Sequence, residues 1–374
     1  MRIAIDAFHA SQGYGGINRY VRGLVPVLAA AWPQDSFTLF TNRFREWAPL
    51  WDPGLPNVRC YDLRFPRRLV QGCWDHLKWP PVEAFIGSLD LFHGMHFVLP
   101  AVRRAKCVLT VYDLTYLRHA EYFADRDLNE RGYRKELPRA LARADAVIVV
   151  SHNTRDDLVE LMDYPAARIR VIHGGVESRF FVSSDPQRLV EVKSRYGLDR
   201  PYLVFLVGTP EPRKNLLRTV AAARRAAPHI PLVIIGQQDA IRAQLGDDLR
   251  GVRLTGPVSE ADLPWVLHGA KLALYPSLYE GFGLPALEAM AAGVPLITSN
   301  RSALPEVVEK AAVLVDPESE DSIEEAIREL LDDGDRREQL IGLGRARARQ
   351  LSWDRAAQQV LHLYREVVSD TSGR

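Results

Sequence analysis

Cysteine is scarce, with three residues in 374, Cys60, Cys73 and Cys107, at no paired spacing. That argues against a disulfide framework and a cysteine-based zinc module, and it leads us to expect a reduced, cytoplasmic setting. An excess of one charge is lacking too. Lys and Arg number 48 against 47 Asp and Glu, a formal net charge of +1, without the basic stripe and high pI of a dedicated nucleic-acid binder. No stretch approaches the roughly 20 apolar residues of a spanning helix. The opening Met1-Arg2-Ile3-Ala4-Ile5-Asp6 reads as a strand and not as a signal peptide. Any membrane contact is therefore expected to be peripheral, at the inner face. No aspartate pair at metal-site spacing occurs, and neither a metal nor a cofactor is expected. What remains is an ordinary globular composition, 47% hydrophobic and 25% charged, in a chain long enough for two domains.

The most informative stretch runs from Leu272 to Gly293. An apolar run, Leu272 to Tyr275, is followed by Glu280-Gly281-Phe282-Gly283-Leu284-Pro285 and an Ala-rich segment closed by Gly293. Pro285 suits a first helical turn, whose N–H groups lack partners, and Gly293 suits a left-handed cap, so the stretch reads as strand, tight loop, helix. The loop aims backbone N–H groups around Gly283 and Leu284 at the space above the strand end, where the helix dipole favours an anion such as phosphate. Glu280 and Glu288 frame the loop, seven residues apart. Carboxylates near a phosphate site take hydroxyls as partners, as the acidic residue of a dinucleotide site takes ribose.

Around this stretch the chain alternates strands and helices twice over. Strands are expected at Ile3–Ala7, Ser36–Thr41, Val58–Tyr61, Leu89–His93, Lys106–Tyr112, Ala146–Val150 and Arg168–His173, with helices at Asn18–Ala31, 129–143 and Asn153–Met162. A second series follows at Tyr202–Gly208, Leu232–Gly236, Val252–Thr255, Leu272–Tyr275, Pro295–Ser299 and Ala312–Val315, with helices between them. Each series predicts a parallel doubly wound sheet whose ligands bind beyond the carboxyl ends of the strands. A boundary is expected near residue 185, in the polar run Ser183-Ser184-Asp185-Pro186, giving domains 1–185 and 186–352 and a final helical segment over 353–374.

With its Glu, seven residues, Glu spacing and intact Glu-Gly-Phe-Gly-Leu-Pro core, the 280–288 stretch resembles the signature of the retaining nucleotide-sugar glycosyltransferases of family 4. The resemblance extends over nearly the whole chain. It implies a GT-B architecture: two Rossmann-like domains facing a cleft, with the last helix crossing back from Trp353 onto the first. It also implies site residues. Glu211-Pro212-Arg213-Lys214-Asn215 matches the segment whose lysine, here Lys214, contacts the donor diphosphate, with Arg213 beside it and Thr209 standing where relatives carry an arginine. Gly281, Phe282, Gly283 and Leu284 would cradle the diphosphate, Glu280 the sugar hydroxyls, Glu288 the ribose, and Val258 the base. The Tyr14-Gly15-Gly16 loop, through Gly16, would face the diphosphate across the cleft. Asp113, Tyr112 (where relatives often carry histidine) and His93 are candidate acceptor or sugar contacts, with loop capping for Asp113 and structural hydrogen bonding for His93 as the alternatives.

The implied reaction moves a hexose, with configuration retained and without metal, to a glycan or lipid-linked acceptor. The Gly-Gly-Ile-Asn-Arg-Tyr and Glu-Pro-Arg-Lys-Asn segments look most like bacterial mannosyltransferases of surface polysaccharide, making GDP-mannose the first expectation and leaving UDP-glucose open. A nucleotide-sugar binding protein without catalysis, an epimerase and a phosphorylase are the other readings. Residues 64–81 mix Arg64, Arg67, Arg68 and Lys78 with Phe65, Leu69, Trp74, Leu77 and Trp79. That composition fits either a contact with an anionic membrane surface or a surface helix packing its aromatics.

Overall fold

The computed structural model describes residues 1–11, 15–44, 50–123, 131–182 and 185–370. Tyr14, the first two residues of the helix expected at 129–143, Ser183-Ser184 and the last four residues lie outside that set. The chain divides into two compact units, Met1–Gly175 with Trp353–Arg374, and Val176–Ser352.

The first unit is built on seven strands: β1 (Arg2–Asp6), β2 (Ser36–Thr41), β3 (Val58–Asp62), β4 (Leu91–Gly94), β5 (Lys106–Val111), β6 (Ala146–Val149) and β7 (Ile169–Val171). They lie in the order β3-β2-β1-β4-β5-β6-β7, every neighbouring pair parallel. The near-continuous apolar runs of β4, β5 and β6 are what a sheet covered on both faces demands, and they are buried. Helix Trp353–Ser369 belongs to this unit. Its Trp353 meets Tyr20 of helix Gly16–Ala31 edge-on at 5.3 Å, in space left by Gly23, where a Cβ would fall 2.2 Å from the indole. The described part of the helix expected at 129–143 is a π-helical turn, Arg131–Glu136, followed by the regular Leu137–Arg143.

The second unit has six parallel strands, β8 (Leu203–Gly208), β9 (Leu232–Gly236), β10 (Val252–Gly256), β11 (Leu272–Tyr275), β12 (Leu296–Ser299) and β13 (Val313–Val315), ordered β10-β9-β8-β11-β12-β13. The strand order reverses between β8 and β11, as it does between β1 and β4 in the first unit. In open α/β sheets such switch points are where ligands bind.

The division falls at Gly175/Val176, ahead of residue 185. Val176 N–H donates to Leu351 O at 3.0 Å and Val176 bridges Ser352 in parallel, which ties the chain to the second unit before the polar run is reached. That run instead leads into helix Pro186–Arg195, capped by the Asp185 carboxylate accepting from Arg188 N–H at 3.0 Å.

Candidate active site

The loop after β8 and the loop after β11 bring their side chains together at the switch point of the second sheet. Beyond Gly208 the chain makes a 3-10 turn, Pro212–Lys214, and Asn215 in the left-handed region (φ 59°) opens helix Leu216–Ala226. Asn215 is buried and donates its amide to Pro276 O at 3.0 Å and Pro317 O at 2.6 Å. Leu278 N–H donates to Arg213 O at 2.7 Å. These bonds fix the turn against the β11 loop, so that Arg213 and Lys214 reach Glu280.

Glu280 is held between two cations. Lys214 Nζ donates to Oε1 and Arg213 Nη1 to Oε2, each at 2.7 Å. Tyr275, the last residue of β11, donates its hydroxyl to Oε1 at 2.7 Å and accepts from Lys214 Nζ at 2.8 Å. Arg213 Nε also donates to Glu211 at 2.6 Å. Burial pushes the Glu280 carboxyl up, but Lys214 and Arg213 outweigh it and hold the group down at about 2. Burial, then Arg213, lowers Lys214 despite Glu280, and burial raises Tyr275. Two of the three ammonium hydrogens of Lys214 go to Tyr275 and Glu280, which leaves a third to offer.

Glu280 N–H donates to Ser302 Oγ at 3.0 Å, so the loop after β12 clamps the loop after β11. Gly283 follows at φ 106°, where a Cβ would meet Leu304 at 2.7 Å. It caps helix Leu284–Ala292, which carries proline in its first turn and ends at Gly293 in the left-handed region. As the first residue of that helix, Leu284 has an N–H with no intrahelical partner. Glu288 is its fifth residue, one turn deeper than a first-turn position, and is buried. Gly281 and Phe282 lie in the same loop, also buried. Thr209 is exposed at the end of β8, and Val258 is buried just after β10. Two cations, one anion and a helix start at one switch point can bind a phosphorylated ligand and offset charge developing on it. The Tyr275 hydroxyl was not among the groups singled out from sequence. The readable signal for Tyr275 was a hydroxyl on the last residue of a strand beside the switch point.

Residues 14–180 match the family described as Glycosyltransferase Family 4, and residues 191–347 match Glycosyl transferases group 1. An O-antigen chain mannosyltransferase B of Escherichia coli is 32% identical over 82% of this chain and 80% of its own length. The chain belongs to glycosyltransferase family 4. Among further relatives of the transferase, an MMP alpha-(1->4)-mannosyltransferase of Mycolicibacterium hassiacum is 29% identical over 90% of this chain and 82% of that one. A sucrose-phosphate synthase from Thermosynechococcus elongatus superposes with a TM-score of 0.79 at 25% identity, covering 99% of this chain and all of the other. The two Rossmann-like halves of this chain are of the GT-B class.

In the first unit of the transferase the candidate contacts are less open. His93 is fully buried, one ring nitrogen bonded to Tyr364 of the last helix and the other to Thr110 Oγ1 at 2.7 Å. Burial lowers it to about 3. With both nitrogens used and no exposed surface, His93 sits as a hydrogen-bonded core residue, the structural alternative for this position. Asp113 Oδ1 accepts from Thr115 N–H at 3.0 Å, Thr115 Oγ1 at 2.7 Å and the Tyr133 hydroxyl at 3.2 Å, which places it as a cap on the loop after β5. Tyr112 is half-buried, its ring edge-on to Tyr20 at 5.1 Å and its hydroxyl 3.9 Å from Met95 Sδ. Gly16 opens its helix in the open, with nothing within 4 Å of where a Cβ would stand. The His96 ring lies tilted against those of His9 and Phe97.

Among the described residues no cluster of three metal-ligating side chains occurs, and no helix is long and apolar enough to cross a membrane.

Proposed function

We propose that this glycosyltransferase takes GDP-mannose and transfers mannose, with retention, to a hydroxyl of a glycan or lipid-linked acceptor. The observation that carries the reading is the meeting of Lys214 and Arg213 with Glu280 across the β8/β11 switch point. Glu280 is the counter-ion of both. When the diphosphate enters, Lys214 offers its remaining N–H, and the N–H groups at Gly283 and Leu284 face the same anion. These groups stabilise the charge that develops on the leaving phosphate, the effect of greatest weight in such sites. Each oxygen of Glu280 retains lone-pair capacity for the sugar hydroxyls, and Glu288 takes the ribose. The acceptor hydroxyl gives its proton to the leaving phosphate, and no protein nucleophile is assigned. Side-chain cations supply the positive charge, so turnover is metal-independent. Relatives that act as mannosyltransferases support the choice of sugar.

The test is nucleotide release from GDP-, UDP-, dTDP- and ADP-sugars, with and without EDTA, on wild type, Glu280→Ala and Lys214→Ala. Slow hydrolysis of GDP-mannose is expected without acceptor, unchanged by EDTA, and lower by roughly 10²-fold or more in each variant. Turnover of a UDP-sugar alone refutes the donor assignment, and donor binding without nucleotide release favours a binding protein.

A further inference from the structure

The segment after β3 presents two different faces. Helix Arg67–Gly72 runs into a π-helical turn, Cys73–Leu77, and its inner side is anchored. Trp74 is buried beside Phe40 and donates its indole N–H to Pro80 O at 2.9 Å. Gln71, also buried, donates to Asp75 at 3.1 Å, and the Asp75 carboxylate is held by Arg139 at 3.0 Å and Arg143 at 3.6 Å. The same inner side forms one wall of a pocket beside the β1/β4 switch point, where Gln71 and Trp74 stand with Asp6, Asn42 and Phe92.

The outer side is apolar and open. Phe65, Leu69, Leu77 and Trp79 are between 55 and 69% exposed, and they are four of the ten exposed large hydrophobic residues in the described chain. Single exposed apolar side chains are ordinary, but a cluster on a firmly anchored element marks an interaction surface. Arg68 and Lys78 stand exposed among them, neither in an ion pair with a described residue. Asp75, the acidic side chain within the helix and turn, is turned inward onto two arginines. The outer face is therefore apolar and cationic. Apolar side chains that enter the headgroup boundary, with cations at the level of anionic headgroups and tryptophan at the interface, suit a lipid surface.

We infer that residues 65–79 seat on an anionic bilayer leaflet through Phe65, Leu69, Leu77 and Trp79, which holds the pocket behind them beside that leaflet for the head of an acceptor still anchored in it. The acceptor half rests on the transferase reading, whereas the membrane half does not. Sedimentation with vesicles of phosphatidylcholine and phosphatidylglycerol, against phosphatidylcholine alone, reads the contact without donor or turnover. Wild type is expected to pellet with the anionic vesicles, less so as salt rises above about 0.1 M. Leu77→Ser/Trp79→Ser is expected to lower partition by roughly tenfold or more with an unchanged melting midpoint, both side chains being exposed. Arg68→Glu/Lys78→Glu removes the preference for anionic lipid. Wild type that stays in the supernatant, or a Leu77/Trp79 variant that pellets as well as wild type, overturns the inference whatever the transferase assay shows. On the same samples, a long-chain alkyl mannoside in the vesicles is expected to raise GDP release from GDP-mannose in wild type and not in the Leu77/Trp79 variant. Pelleted wild type that hydrolyses the donor but shows no such rise overturns the placement of the pocket. Absence of nucleotide release from every donor instead refutes the functional reading.

Discussion

Replacing Glu280 by glutamine keeps its shape and removes the charge that Lys214 and Arg213 share. In the wild type the two cations outweigh burial and hold the carboxyl at about 2, against about 4.3 for an unperturbed glutamate. At about 1.4 kcal/mol per unit, that depression corresponds to roughly 3 kcal/mol of stability. A carboxyl depressed in the folded state stabilises above its unfolded value, and the contribution is lost as the pH falls through the folded one. The window therefore runs from about pH 5 to about pH 2, with about 2 kcal/mol gone by about pH 3. Urea unfolding of wild type and Glu280→Gln from neutral pH to this range reads the effect as a difference. Asp248, Asp262 and Asp90 are also depressed by arginine partners, and they cancel in that difference. At neutral pH the variant is expected to be less stable by about 3 kcal/mol, because two half-buried cations lose their counter-ion. The gap between the proteins should then close by about 2 kcal/mol as the pH falls to about 3. A gap that stays level over that range refutes the argument that Lys214 and Arg213 set the state of Glu280.

Tyr275→Phe deletes the hydroxyl between Lys214 and Glu280; a loss of about 1–2 kcal/mol by urea unfolding is expected, with donor hydrolysis reduced less than in Lys214→Ala. Gly283→Ala places a Cβ against Leu304 at a positive φ, so a loss of about 1–3 kcal/mol and weaker nucleotide binding by calorimetry are expected; unchanged values would show that the loop relaxes freely. His93→Leu leaves the hydroxyls of Thr110 and Tyr364 without their buried partner, for a cost of roughly 2–5 kcal/mol, while donor hydrolysis per folded molecule stays at the wild-type rate. Lost hydrolysis at intact stability would return His93 to the substrate.

The second sheet and its site were largely legible in the sequence because punctuation is dense there. Pro285 and Gly293 bound the helix, Gly283 marks the tight loop, and strand-end reasoning puts the loops carrying Lys214 and Glu280 above one sheet. Tyr275 escaped because periodicity spends it as the last apolar residue of a strand, and only the fold shows its hydroxyl between two charges. His93 had structural hydrogen bonding as one of its two readings, but its partner could not be read. Its burial depends on Tyr364, contributed by a helix far along the chain, and no local pattern encodes that contact. Asp113 sat between, since a carboxylate two residues before Thr115 is a readable cap, yet a strand end invites a functional reading as well. The boundary was misplaced because a polar run is conspicuous in sequence and the pairing of Val176 with Leu351 and Ser352 is not.

The first unit consists of two pieces of chain with the entire second unit spliced between them, and this has a consequence for biosynthesis. Domains generally fold as they emerge, the N-terminal one first, at about 5–20 residues per second. Here the earlier sheet cannot finish first. The space at Gly23 waits for Trp353 and the imidazole of His93 waits for Tyr364, through roughly 10–35 s of synthesis at that pace, while the later sheet already has every strand it needs. A nascent chain stalled just before residue 353 would carry a finished second unit and an unfinished first one with an open seam along helix Gly16–Ala31, a natural place for a chaperone to act.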